Sequence, residues 1–153
     1  MKKYLVIGNP IEHSLSPKLH NHWIKIEKIN AIYEKRKLNK NEIKDLIGDI
    51  KDQKINGINV TVPFKQEVIP YLDELTEQAK KTQSVNTIYL GDNGTTGHNT
   101  DIEGFEESLK YVKYDVRGKD VLILGSGGVV PSIIFALKSM QAQNIIISNR
   151  TRE

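Results

Sequence analysis

The last third of the sequence most constrains what the chain can fold into. The apolar run Val121-Leu122-Ile123-Leu124 is followed at once by Gly125-Ser126-Gly127-Gly128. Apolar residues at helical spacing continue from Val129 to Met140, and a second, largely apolar stretch runs from Asn144 to Ser148. A buried strand, a glycine turn, a helix and another strand in this order predict a parallel βαβ unit. Such a unit is the first half of a dinucleotide-binding fold.

The glycine turn predicts a phosphate site. Glycines between a strand and a helix let backbone N–H groups approach a pyrophosphate at the positive end of the helix. Gly125 and Gly127, which precede the predicted helix, match the first two glycines of G-x-G-x-x-G. The third position is Val130, where Gly or Ala is usual. A plain tight turn is the alternative interpretation of the same residues.

The residues after the second strand bear on which nucleotide would bind. NAD sites usually carry an acid there for the ribose 2′-hydroxyl. This chain has Ser148-Asn149-Arg150-Thr151-Arg152, with no acid before Glu153. Because a guanidinium pairs well with a 2′-phosphate, the pattern predicts NADP rather than NAD, held by Arg150. A solvated arginine just past a strand is the alternative.

The sequence before residue 113 predicts a separate α/β domain. We expect strands near 4–7, 31–37, 55–62 and 85–90, and helices over 16–30, 40–51, 64–70, 73–82 and 101–113. The helices over 16–30 and 40–51 each carry one apolar face, and an Asn-Gly hairpin turn is expected at 91–94. Ser16 and the pair Thr100 and Glu103 are expected to cap helices. The polar stretch 115–119 is the candidate linker between domains at 1–113 and 118–153. Since one βαβ unit cannot cover both faces of a parallel sheet, we expect a fragment cut inside its second domain.

Composition excludes several functional classes. Lys and Arg total 22 against 19 Asp and Glu, a net charge of +3, and the basic residues are scattered, so no nucleic-acid partner is expected. The chain has no cysteine, which excludes a disulfide scaffold, a cysteine-ligated zinc and a thiol nucleophile. No metal site is expected. No apolar run is long enough to span a membrane, so a cytoplasmic protein is the expectation.

Polar residues in the first domain are candidates for a binding site. Ser14 and Ser16 stand at a helix N-terminus, where hydroxyls and free N–H groups suit a carboxylate; simple capping and solvation are the alternative. Asn86 lies in a predicted strand, where Asn is depleted, and so needs a buried partner or a ligand. Lys65 follows a strand directly and Asp101 opens a helix. A surface lysine and an ordinary helix-dipole partner are their alternatives.

These residues also fit one ordered series of motifs. In chain order they are Gly8-Asn9-Pro10 with Ser14-Leu15-Ser16-Pro17, Asn59-Val60-Thr61-Val62-Pro63-Phe64-Lys65, Val85-Asn86-Thr87, Gly97-His98-Asn99-Thr100-Asp101, Gly125-Ser126-Gly127-Gly128 and Asn149-Arg150-Thr151. In this respect the chain resembles the shikimate dehydrogenase family, from residue 4 to residue 151. Each motif is weak by itself, but six in order are specific.

The resemblance implies a fold, a reaction and a set of site residues. It implies an α/β substrate domain followed by a Rossmann-type NADP-binding domain that is truncated here, and the reversible NADPH-dependent reduction of 3-dehydroshikimate to shikimate in aromatic amino-acid biosynthesis. Ser14 and Ser16 match residues that bind the substrate carboxylate, while Thr61, Asn86 and Asp101 match those that bind its hydroxyls. Lys65 and Asp101 match the catalytic pair and also contact substrate. The cofactor residues matched are Gly125, Ser126, Gly127, Gly128, Asn149, Arg150 and Thr151.

Other functions stay open at this point. A quinate/shikimate dehydrogenase shares the motifs and can use NAD, although Arg150 argues against NAD. A methylenetetrahydrofolate dehydrogenase has a similar layout, but the double-serine segment suits a small carboxylate. The fragment itself is expected to oligomerise or aggregate through uncovered strands and to be inactive, binding shikimate at most. Its oligomeric state is left open, and a homodimer is one of the possibilities.

Overall fold

A computed structural model of the chain describes residues 1–151. Residues 152 and 153, the end of the predicted second domain, lie outside the described part. Within residues 1–151 the elements are β1 (Lys2–Gly8), α1 (Ser16–Ile26), β2 (Ala31–Lys37), α2 (Ile43–Lys51), β3 (Gly57–Val60), β4 (Glu74–Leu75), α3 (Glu77–Thr82), β5 (Thr87–Gly91), β6 (Gly94–His98), α4 (Asp101–Tyr111), β7 (Asp120–Leu124), α5 (Val130–Ser139) and β8 (Asn144–Ser148). The predicted α/β class is confirmed.

The first six strands form one mixed sheet in the order β2-β1-β3-β5-β6-β4. β1 runs parallel to β2 and β3, whereas β5 pairs antiparallel with β3 and β6. The turn between β5 and β6 carries the expected Asn-Gly sequence at Asn93 and Gly94, and Gly94 has a φ of +120°. The segments that follow the carboxyl ends of β1 and β3 carry the candidate residues Ser14, Ser16 and Lys65.

The main core lies between this sheet and α2. The apolar face predicted for α2 is fully buried and consists of Ile43, Leu46, Ile47 and Ile50. These side chains form one cluster with Leu5 and Ile7 of β1 and Ile58 of β3. Burying each such side chain stabilises the fold by roughly 1.5–3 kcal/mol. The core therefore fixes β1 and β3, the strands whose ends carry the site.

α1 is attached differently from the prediction. Its expected apolar face stays largely exposed, with Leu19 at 47%, Trp23 at 50% and Ile26 at 58%. A polar contact holds the helix instead: the Asn21 side chain donates to the Tyr33 carbonyl at 2.7 Å and accepts from the Tyr33 N–H at 3.0 Å. Through these two bonds the Asn21 side chain attaches α1 to the backbone of β2, so the helix does not need a buried apolar stripe.

The segment after β3 was predicted wrongly. The strand ends at Val60 rather than Val62, and Val62 is 58% exposed. Turns and a short 3-10 helix at Ile69–Tyr71 replace the helix expected over 64–70, and only the end of the next one forms, as α3. Pro70 removes a backbone donor of the expected helix, and the Lys65 carbonyl accepts from the Val85 N–H instead of from within that helix. The chain satisfies its backbone at the sheet edge instead, where the Asp73 N–H donates to the Thr95 carbonyl at 3.0 Å.

The predicted βαβ unit is present. β7 and β8 pair in parallel register and α5 connects them. The two strands are partly uncovered, as expected for a single βαβ unit, since Leu124 is 79% and Ile146 56% exposed. No helix within residues 1–151 is both long and apolar enough to cross a membrane. The domain boundaries at 113 and 118 stay a prediction.

Candidate active site

Lys65 and Asp101 form an ion pair at the end of β3. The Lys65 ammonium lies 2.6 Å from Asp101 Oδ2, and the two side chains are only 13% and 22% exposed. Asp101 is the first residue of α4, and the Lys65 carbonyl is fixed by the Val85 N–H at 2.8 Å. The interpretation of Lys65 as an ordinary surface lysine is therefore wrong. A short, charge-assisted contact in a partly buried place holds the ammonium in one position.

Asn86 orients the carboxylate of this pair. Its side-chain NH₂ donates to Asp101 Oδ1 at 2.9 Å and to the Thr100 hydroxyl at 2.8 Å, and its oxygen accepts from the Thr100 N–H at 3.0 Å. Both carboxylate oxygens of Asp101 thus have a donor. The partner of Asn86 is the start of α4, where Thr100 is exposed and Asp101 half-buried.

Two capping predictions are wrong for physical reasons. Thr100 is the N-cap of α4 but makes no side-chain cap with the helix, because its hydroxyl bonds to Asn86 instead. Ser16 is the first residue of α1, and Leu15 occupies the N-cap position. Neither hydroxyl therefore caps a helix: that of Thr100 is bound to Asn86, and that of Ser16 stays at the start of α1.

Ser14 and Ser16 lie together at the start of α1. The Ser14 hydroxyl accepts from the Ser16 N–H at 3.3 Å, and the Ser14 N–H donates to the Ile11 carbonyl at 3.0 Å. Burial raises the pKa of Tyr33 to about 12, and a hydrogen bond from the Ser16 side chain opposes that rise. Ser16 is thus adjacent to a buried, protonated phenol.

A chain of hydrogen bonds leads from that phenol to the ion pair. The Tyr33 hydroxyl donates to Asn59 Oδ1 at 2.6 Å. The Asn59 NH₂ donates to the Asn86 carbonyl at 3.2 Å and to the Thr87 hydroxyl at 3.1 Å, and that hydroxyl donates to Asn86 Oδ1 at 3.0 Å. We call Tyr33, Asn59, Thr87, Asn86, Asp101 and Lys65 the polar network.

Sequence reasoning missed three members of the polar network, Tyr33, Asn59 and Thr87. Asn59 carried a usable signal, since it stands in β3 and Asn is depleted in strands; Asn86, flagged for the same reason, lies just before β5. Thr61 lies outside the network, beside Gly8: a Cβ on Gly8 would stand 2.7 Å from Thr61 Cγ2. Gly8 is therefore needed for the close approach of β1 to the Thr61 side chain.

The glycine turn lies across a cleft from Lys65. The cleft has a volume of about 460 Å³ and is lined by Val62, Pro63, Lys65, Gln66, Ser126 and Gly128. Gly125 has a φ of +107°, and no heavy atom lies within 4 Å of where a Cβ would stand on Gly125, Gly127 or Gly128. The backbone of the turn is thus open to a ligand, next to the N-terminus of α5.

A buried polar cluster joins the six-stranded sheet to the βαβ unit. Asn99, Ser84 and Ser132 are fully buried. The Asn99 NH₂ donates to the Ser84 carbonyl at 2.8 Å and to the Ser132 hydroxyl of α5 at 2.9 Å, while its oxygen accepts from the Asp101 N–H at 2.9 Å. The Ser84 hydroxyl reaches the Gly128 carbonyl at 3.4 Å. We call Asn99, Ser84 and Ser132 the junction.

The residues after β8 are exposed and lie at the same edge as the glycine turn. The Gly125 N–H donates to the Ser148 carbonyl at 2.7 Å, which brings the two strand ends together. The Asn149 side chain donates to the Thr151 carbonyl at 2.9 Å. No carboxylate within the described residues pairs with Arg150, and no group of three His, Asp or Glu in this part of the chain could hold a metal ion.

Comparison with known proteins decides the family. Residues 6–88 match the model of the shikimate dehydrogenase substrate binding domain. The chain belongs to the shikimate dehydrogenase family. The shikimate dehydrogenase (NADP(+)) of Pelagibacter ubique is 61% identical over 150 residues, which is 98% of this chain and 57% of that protein. The chain thus spans little more than half the length of this relative.

Solved structures agree with this membership of the shikimate dehydrogenases. The Aquifex aeolicus shikimate dehydrogenase is 41% identical with a TM-score of 0.92, covering 100% of this chain and 57% of that one. The Thermus thermophilus enzyme in complex with NADP(H) and shikimate is 29% identical with a TM-score of 0.89, covering 99% and 57%. The relative arrangement of the sheet and the βαβ unit is therefore that of known shikimate dehydrogenases.

Proposed function

We propose that this chain carries the substrate site and the start of the cofactor site of an NADP-dependent shikimate dehydrogenase. The proposed reaction is the reversible reduction of 3-dehydroshikimate to shikimate in aromatic amino-acid biosynthesis. The observation that supports it best is that Lys65, held by Asp101, lines the same cleft as Ser126 and Gly128 of the glycine turn. A proton donor and a nucleotide-binding turn facing one cleft are what ketone reduction requires.

The proposed roles of the ion pair follow from charge. Reduction of a ketone builds negative charge on its oxygen, and a nearby ammonium stabilises that charge and delivers the proton. Lys65 is the proposed donor, and Asp101 keeps its ammonium in position through the 2.6 Å contact. Asn86 holds the Asp101 carboxylate, which therefore stays in place when Lys65 gives up its proton. NADPH, when bound, supplies the hydride.

The proposed substrate contacts extend from this pair to α1. Ser14 and Ser16, at the start of α1, would bind the carboxylate of shikimate, where hydroxyls and helix N–H groups favour an anion. Thr61, Asn86 and Asp101 would bind its ring hydroxyls. The polar network supports this assignment because it holds Asn86 and Asp101 in place through partly buried hydrogen bonds.

The residues present fit NADP. The open glycine turn at Gly125-Ser126-Gly127-Gly128 and the N-terminus of α5 suit the pyrophosphate. Val130, the residue that departs from the glycine motif, is buried in α5 and leaves the turn itself free. Asn149, Arg150 and Thr151 are exposed at the end of β8, where Arg150 would hold the 2′-phosphate. We therefore propose that the chain binds NADP rather than NAD. We also propose domains at 1–113 and from 118 onward, and a cytoplasmic location.

A chimera tests the proposed function. Residues 1–151 replace the matching part of the Pelagibacter ubique relative, and NADP⁺ reduction by shikimate is followed by absorbance. We expect the chimera to turn over shikimate. Lys65→Ala should lower its rate by a factor of roughly 10²–10⁴. Lys80→Ala, which removes an exposed lysine paired with Glu77, is the matched control and should keep full activity. A chimera that folds but shows no shikimate oxidation would overturn the proposal.

A further inference from the structure

We propose that Gln66 binds the carboxamide of NADP and that Val62 and Pro63 pack against its nicotinamide ring. The inference rests on the proposed function, and it assigns residues of the first domain to the cofactor rather than to the substrate. These three residues stand beside Lys65 in the chain, and none of them was a candidate from the sequence. We call Val62, Pro63 and Gln66 the cleft wall.

The cleft wall borders the space that a bound cofactor has to enter. The cleft of about 460 Å³ is lined by the cleft wall, by Lys65, and by Ser126 and Gly128 of the glycine turn. The turn is the proposed site of the pyrophosphate, and Lys65 is the proposed proton donor to the ketone oxygen. A hydride carrier joined to that pyrophosphate must lie in this cleft to reach the ketone carbon beside Lys65. The nicotinamide half of the cofactor therefore meets the cleft wall.

Val62 and Pro63 expose apolar surface to the cleft. Val62 is 58% exposed and Pro63 is exposed too, whereas Phe64 and Val68 of the same segment are 3% and 0% exposed. The segment thus buries two apolar side chains in the core and leaves two others open beside Lys65. Ligand pockets are lined mainly by apolar side chains with a few polar groups among them. A flat ring packed on Val62 and Pro63 would cover this surface.

Gln66 supplies a polar group next to that surface. Its backbone is fixed in a turn, since its carbonyl accepts from the Ile69 N–H at 3.1 Å. Its side chain is exposed, and the amide has no hydrogen-bond partner among the described residues. An amide presents an oxygen that accepts and an NH₂ that donates side by side. A carboxamide carries the same two groups, so the pair can form two hydrogen bonds at once.

The charges around the cleft favour the nicotinamide over a phosphate at this place. The cleft wall is uncharged, and the neighbouring Lys65 ammonium is held by Asp101 at 2.6 Å. Glu67, the residue after Gln66, pairs with Lys40 instead of lining the cleft. A phosphate against the cleft wall would find no cation on it. The nicotinamide ring is neutral when reduced and positive when oxidised, so it needs none.

Calorimetry on the chimera separates the two halves of the cofactor. NADP⁺ and 2′-phospho-ADP-ribose, which is the same molecule without its nicotinamide, are titrated into the unchanged chimera, Gln66→Met and Gln143→Met. Methionine keeps the length of the side chain and removes the amide. Gln143 is the matched control, since it is exposed and precedes β8, at the opposite edge of the β7–β8 pair from the glycine turn. We expect Gln66→Met to weaken NADP⁺ about three- to tenfold and 2′-phospho-ADP-ribose by less than twofold, and Gln143→Met to change neither.

Each outcome decides between the two proposals. A loss of NADP⁺ affinity below threefold in Gln66→Met overturns the inference, and so does an equal loss for 2′-phospho-ADP-ribose, which would place Gln66 on a phosphate. If Gln66→Met does not fold, Gln66→Ala takes its place with the same expectations. Val62→Ala should show the same selective loss, and unchanged NADP⁺ affinity in it would disprove the ring contact. A chimera that binds NADP⁺ but oxidises no shikimate overturns the proposed function and leaves the calorimetry to decide the inference, whereas one that binds no NADP⁺ overturns both.

Discussion

Replacing Asn99 by Ala should be among the most destabilising single changes in this chain. The Asn99 side chain is fully buried, and it binds the Ser84 carbonyl, the Ser132 hydroxyl and the Asp101 N–H at 2.8–2.9 Å. Every buried side-chain polar atom in the described residues has a partner. Asn99→Ala would leave the Asp101 N–H and the Ser132 hydroxyl without these hydrogen-bond partners.

The magnitude follows from these contacts. A buried group left without its partner costs about 1–3 kcal/mol, so two such groups predict a loss of about 2–6 kcal/mol in the free energy of unfolding. Ser132→Ala removes one hydroxyl while Asn99 keeps Ser84, so it should cost only about 1 kcal/mol. The double variant should be little worse than Asn99→Ala alone, because the shared contact is lost only once.

Urea titration measures these differences. Trp23 is the only tryptophan, and its fluorescence reports on α1 and the six-stranded sheet, while circular dichroism at 222 nm reports on all helices. Asn93→Ala is the control: its side chain is exposed and bonds only to Glu74, so the change should be within about 0.5 kcal/mol of zero. An Asn99→Ala chain within about 1 kcal/mol of the unchanged one would refute the reasoning.

Three other changes test different parts of the molecule. Contacts with Lys51 and Thr95 lower the pKa of Asp73 from 3.8 to about 2, so its stabilising contribution is complete above about pH 4 and is lost as the pH falls toward 2. Asp73→Asn should therefore destabilise the chain at pH 7, and in urea titrations its difference from the unchanged chain should vanish between about pH 4 and pH 2; a constant difference would contradict this. In the chimera, Lys65→Ala should lower kcat by roughly 10²–10⁴ with little change in the KM for shikimate, and a raised KM at normal kcat would make Lys65 a binding group only. Arg150→Ala should lower kcat/KM for NADPH about 10-fold or more and leave that for NADH unchanged, whereas equal losses with both would disprove a 2′-phosphate contact.

Local patterns predicted the elements that local physics determines. The βαβ unit of β7, α5 and β8 was predicted because an apolar strand, a glycine turn and an apolar helix each follow from neighbouring residues. The buried face of α2 was predicted for the same reason. Lys65 and Asp101 came from the motif resemblance, and the structure brings them together 36 positions apart in sequence.

Long-range polar contacts could not be predicted from spacing. Tyr33 and Asn59 are 26 positions apart, and nothing near either residue indicates the other. The apolar face of α1 was expected to be buried because periodicity reports amphipathicity, whereas the Asn21 side chain is what attaches the helix. The helix expected over 73–82 starts late because carbonyls of β6 accept from the Asp73 and Thr76 N–H groups.

The junction also determines where genes of this family can be recombined. Its two halves come from distant parts of the chain, Asn99 after β6 and Ser132 in α5. A crossover between positions 99 and 132 would unite an asparagine from one parent with whatever the other parent carries in that helix. A crossover after Ser139, the end of α5, transfers both partners together. Shuffled libraries built from this sequence should therefore lose folded members mainly from breakpoints inside that interval, although it contains the loop-rich stretch 112–119 that a designer would choose first.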